Sequence, residues 1–188
     1  MSTRPTRTTH DKSSPEHVRL RLETLSLKLR ETSANLDLAK SDGSRLPSRI
    51  PGQRLLSHTL TAQALSLRTT RLAAEVRTLV GENPSALESA ALSSMLSSTT
   101  ETAQAVVAFA QAAGVAVSTP GTIELESAEH RQMLTKHATG RRDLWRAAVD
   151  IAAASRCLVE HPDAQRFPAS MPVLAPPNSA QHSRKPRP

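Results

Sequence analysis

The chain has 188 residues, of which 38% are hydrophobic and only 2% aromatic, with two Phe, one Trp and no Tyr. A core must therefore be built from Leu, Ala, Val, Ile and Met, and the Ala and Leu among them favour helices over sheets. The net charge of +7 sits mostly at the two ends, +2 in residues 1–13 and +3 in 162–188, against +2 for all of 14–161. The nucleic-acid reading that a high pI invites thus applies to the ends more than to the middle.

A single cysteine, Cys157, excludes an intrachain disulfide. No apolar run approaches the roughly 18–20 residues of a membrane helix. The polar opening, Met1 to His10 with Arg4 and Arg7, lacks the character of a signal peptide. These features lead to the expectation of a cytoplasmic protein without a membrane span. Arginine exceeds lysine by 19 to 5 and alanine is abundant, a bias typical of GC-rich bacterial genomes.

In chain order, residues 1–13 are rich in Ser, Thr and Arg and read as a disordered tail. Ser14-Pro15-Glu16 opens a first helix, combining a capping hydroxyl, a proline at the first helical position and an acid at the positive end of the dipole. Val18, Leu22, Leu25, Leu29 and Leu36 then form a heptad seam, and Leu20, Leu27, Ala34 and Leu38 form a second stripe on the opposite side. This helix is expected to end near Lys40. Residues 41–52, with two Gly and two Pro, make a loop. A second helix from Gln53 to Val80 is also two-sided, with Leu56, Leu60, Ala64 and Leu67 on one side and Leu65, Leu72, Val76 and Leu79 on the other; Gly81 caps it.

A third helix starts at Asn83-Pro84 or at the capping box Ser85-x-x-Glu88 and should stop at Gly114. Its face includes Ala91, Leu92, Met95, Leu96, Val106, Val107 and Ala110. Residues 115–125 read as an extended loop, with a small hairpin as the competing arrangement. A fourth helix from Ser127 to Glu160 keeps one apolar phase through Gly140, including Met133, Leu144, Trp145 and Ile151, with Ser155 bonded back to its own helix. Seven prolines in residues 162–188 read as a disordered tail. The expected fold is all-α, a bundle of about four long helices over 14–161 between disordered tails.

No catalytic residues stand out. The nucleophile elbow, the phosphate-cradling glycine loops and H-E-x-x-H are all missing. Cys157 reads as an inert thiol on a helix flank. Glu126, His130 and His137 share a helix face, yet lack the paired Glu-x-x-His helices of a di-iron bundle, so no metal or cofactor is expected. Arg131, Arg142, Arg146 and Arg156 read as a solvated flank. Thr61 to Leu72 resembles the junction of a helix-turn-helix but lacks the turn glycine. In the C-terminal tail, Phe167, Met171, Val173 and Leu174 are scattered apolar residues.

Two functions remain. One is a non-enzymatic helical interaction or scaffold protein, with Val18, Leu22, Leu25 and Leu29 as the partner surface and self-association as the simplest case. The other is a nucleic-acid-binding accessory or regulatory protein using Arg68, Arg71, Arg184, Lys185 and Arg187.

Overall fold

A computed structural model of the protein describes residues 14–38, 52–118 and 127–159. Four helices follow one another: α1 (Pro15–Asn35), α2 (Gly52–Val80), α3 (Ala86–Ser118) and α4 (Ala128–Val159). Both tails lie outside the described residues, and with them the segments 39–51 and 119–126.

The capping chemistry sets three of the boundaries. The Ser14 hydroxyl accepts from the His17 N–H, with Pro15 in the first turn. Ser85 and Glu88 form a reciprocal capping box, the Glu88 N–H donating to Ser85 Oγ at 3.3 Å and the Ser85 N–H to Glu88 Oε2 at 2.8 Å. Gly81 follows α2 at φ 76°, in the left-handed region that spares glycine a steric penalty.

Two boundaries differ from the sequence expectation. α1 ends at Asn35 rather than near Lys40. Beyond it, bonds from other helices replace the helical ladder: Arg141 Nη1 pairs with Asp37 Oδ1 at 2.7 Å, and Arg54 Nη2 donates to the Asp37 carbonyl at 2.9 Å. α1 carries no basic residue in its last turn, so these two arginines supply the cations that its negative dipole end favours. α3 runs through Gly114 to Ser118, because Val115 and Ala116 pack onto a core cluster and reward continued helix. The expected extended stretch 115–118 is therefore helical, and the rest of that loop lies outside the described residues.

The helices form an up-down-up-down bundle. Ser26 Oγ reaches the Ala148 carbonyl at 2.8 Å and Ser33 Oγ the Arg141 carbonyl at 2.9 Å, so α1 and α4 are antiparallel. Arg21–Glu75 and Arg54–Asp37 give α1 and α2 the same relation. The short connection 81–85 turns α3 back along α2. α3 packs most extensively, against both α4 and α2; α1 packs on α4 and touches α2 only lightly. Three seams of the bundle are closed, and the α1–α2 seam is nearly open.

The main core joins Val18, Leu22, Leu25 and Leu29 to Leu65, Leu72, Val76, Met95, Phe109, Leu144 and Ile151. A smaller cluster at one end holds Leu38, Leu55, Ala112, Ala113 and Met133. Gly140 lies within an unbroken α4, and a Cβ there would come within 3.0 Å of the Phe109 ring. The glycine thus admits the largest core side chain. Ser155 donates across the bundle to Glu23 Oε1 at 3.4 Å rather than to its own helix. No described helix is long and apolar enough to cross a membrane.

Candidate partner-binding groove

The four residues expected to form a partner surface are all interior. Val18 is 1% exposed, Leu22 and Leu29 0% and Leu25 7%. The stripe points into the centre of the bundle and packs mainly on α4, where α2, α3 and α4 each contribute buried apolar residues. Those leucines specify the fold, and only Leu25 also reaches the wall of a surface groove.

The opposite stripe of α1 stays outside. Leu20 is 57% exposed and Leu27 65%, and on α2 Leu56, Leu60 and Leu67 are exposed as well. Leu20 and Leu27 are one heptad apart, about 10 Å along the helix. They border a groove of about 740 Å³ between α1 and α2, completed by Leu25, Leu72 and Thr24 and by the charged Arg21, Lys28, Glu31, Arg68 and Arg71. The weak contact between α1 and α2 leaves this opening, and its wall carries four cations against one carboxylate.

The cations differ in their partners. Arg21 is paired with Glu75 across the groove, and Lys28 Nζ with Glu31 Oε2 at 3.0 Å. Arg68 and Arg71 are exposed and make no ion pair or side-chain hydrogen bond among the described residues. Thr61 to Leu72 is uninterrupted helix within α2, so the helix-turn-helix reading fails for lack of a turn. Arg184, Lys185 and Arg187, and with them Phe167, Met171, Val173 and Leu174, lie outside the described residues.

A second shallow depression of about 770 Å³ runs along α3 and α4 past Thr99, Gln104, Thr135, Lys136, Arg142 and Arg146. Its threonines are largely committed to their own helices, Thr99 to the Met95 carbonyl and Thr139 to that of Thr135. Beside it, Glu101 Oε2 is buried with no hydrogen-bond partner among the described residues. Burial, reinforced by Asp150 and Asp143 and opposed by Arg146, pushes this carboxyl up to about 7.

At the other end of the core, His58 Nδ1 and His137 Nε2 are 2.9 Å apart and both rings are buried. One ring must donate and the other accept, which requires at least one neutral imidazole. Phe109 stands edge-on to both. Burial is the main cause that lowers the two pKa values; for His58 the charges of Arg54 and Arg141 add, and for His137, lowered to about 4, His58 and Arg141 add while Asp37 opposes. The expectation for His130 and His137 did not include this pair, since His58 lies 79 positions away. Its only sequence signal was a histidine in phase with Leu55, Ala62 and Leu65. Glu126 lies outside the described residues, and no described group of three or more His, Cys, Asp or Glu gathers for a metal.

Trp145 and Leu96, expected on inward faces, are 54% and 67% exposed. Leu144, Ala147, Ala148 and Ile151 take the interior positions of α4, and the residue beside Leu144 in sequence falls about 100° further round the helix, on its solvent side. Comparisons of the chain with protein-family models, curated proteins and solved structures gave no match.

Proposed function

We propose that the chain is a non-enzymatic, cytoplasmic interaction protein that docks a helix of a protein partner in the groove between α1 and α2. The observation that carries this reading is the pair of exposed leucines, Leu20 and Leu27, at heptad spacing along an open seam. Helix-in-groove recognition uses anchors at that repeat. An exposed apolar stripe is also disfavoured in water unless something covers it. The lone cysteine agrees with a reducing compartment.

Nucleic-acid binding is the second reading, favoured by Arg68 and Arg71, which have no ion-pair partner among the described residues. The leucines beside them argue for the first, since a phosphate backbone offers nothing apolar to cover them.

The test has two arms, both compared with a Leu20→Asp/Leu27→Asp variant: sedimentation velocity of the full chain, and titration with an amphipathic helical peptide of heptad leucine repeat and uncharged flanks. The reading expects saturable association, with peptide or with a second copy, that the variant weakens by roughly tenfold or more. Both residues are exposed, so helicity by circular dichroism should not change. A protein that stays monomeric at tens of micromolar and binds no peptide would contradict it.

A further inference from the structure

The charge around the groove selects among helices. Arg21 and Lys28 are neutralised by Glu75 and Glu31. Arg68 and Arg71, three positions apart on α2, line the same groove with no partner among the described residues. Each guanidinium presents a planar fork of N–H donors that matches a carboxylate in two-point geometry. Leu20, Leu25, Leu27 and Leu72 line the groove with them. An occupant that satisfies the whole wall is apolar along one stripe and carries carboxylates along its flank.

Resting on the reading above, the geometry points to an acidic amphipathic helix of another protein as the occupant of the α1–α2 groove. The α1 wall from Leu20 to Glu31 spans about 16 Å, the length of about three helical turns. The ligand helix places apolar residues at i, i+3 or i+4, and i+7 against the leucines, and Asp or Glu beside that stripe against Arg68 and Arg71. A second copy binding by the same face is disfavoured, because two-fold packing of one groove on another brings cationic walls together. Duplex DNA would satisfy the arginines and leave the leucines facing polar backbone. The arginines govern which helix binds more than how tightly, since exposed ion pairs are screened by water and salt.

The experiment is a fluorescence-anisotropy titration of the full chain at physiological salt with three labelled probes. These are a helical peptide with leucine at the heptad core positions and glutamate at the flanking ones, the same peptide with lysine for glutamate, and a mixed-sequence DNA duplex. The glutamate peptide is expected to bind at least about tenfold more tightly than the lysine peptide. Arg68→Glu/Arg71→Glu should reverse that order, and Leu20→Asp/Leu27→Asp should weaken both peptides. Should the charge reversal lower helicity, Arg68→Gln/Arg71→Gln serves instead and is expected to abolish the preference.

Equal binding of the two peptides overturns the acidic-helix inference and leaves the groove as a docking site without charge selection. Failure of both peptides, with the protein monomeric, removes the interaction reading itself. Tighter binding of the duplex than of the glutamate peptide at the same salt overturns the inference in favour of nucleic acid.

Discussion

The α3–α4 side and the α1–α2 side of the bundle use the same aliphatic alphabet and end differently. Along the first, Ala105, Ala108, Ala112, Ala147, Ala148 and Ala154 are buried. Their small side chains let two backbones approach until Phe109 needs the missing Cβ of Gly140 to fit. Along the second, α1 spends one leucine stripe on the core and turns the other to solvent, and α2 touches it lightly. What separates the two sides is how closely the helices meet: α3 and α4 pack extensively, whereas α1 and α2 touch lightly and leave Leu20 and Leu27 beside an open groove.

Truncation should divide the two sides sharply. Phe109→Ala is expected to cost about 3–5 kcal/mol in urea denaturation, because it removes the largest fully buried side chain and leaves a cavity. Leu27→Ala, on the open side, should fall within about 0.5 kcal/mol of the wild type. Similar costs for the two would erase the distinction between them.

Acidity should attack the core between α2 and α4 through the histidine pair. Both histidines have folded-state pKa values below their ordinary value, so the unfolded chain takes up protons first. Their contribution to stability is complete above about 6.5 and is lost as pH falls toward the value of about 4 reached by His137. Replacing both rings together, His58→Leu/His137→Leu, removes donor and acceptor at once and should flatten this part of the pH profile. Retention of the full acid slope in the double variant would mean that other groups carry it.

Glu101 should act in the opposite direction. Its folded pKa is raised to about 7 from 4.5, so its contribution is present at acid pH and lost as pH rises through neutrality. Glu101→Gln should therefore stabilise the protein by about 1 kcal/mol at mildly alkaline pH and make little difference near pH 4.5. Chemical denaturation at the two pH values measures this. A smaller effect is expected on the open side. Glu75→Ala breaks the ion pair with Arg21 across the groove, and since both partners are well exposed the cost should stay under about 1 kcal/mol in the same assay.

Much of this architecture is local and therefore legible. Ser14-Pro15-Glu16, the Ser85–Glu88 box and Gly81 each act within a few residues, and the 3.6-residue phase identifies the α4 face from Met133 to Ile151. The two-sided character of α1 was likewise visible. What periodicity does not specify is which of two equivalent stripes faces inward, because that depends on the neighbours that assemble around the helix. Hence Val18, Leu22, Leu25 and Leu29, which the heptad spacing offers as a partner surface, lie in the core, and Leu20 and Leu27 lie outside. The end of α1 at Asn35 and the His58–His137 contact are equally non-local, each depending on a residue of another helix.

Methyl chemical-shift mapping with labelled leucines addresses the open seam most directly, with the glutamate-flanked amphipathic peptide as titrant. Leu20, Leu27 and Leu72 line the groove, and Leu96, exposed on α3, is an internal control. Saturable shifts are expected at the three groove leucines and none at Leu96. Shifts centred on Leu96, or none anywhere as the peptide is added, would contradict docking in this groove.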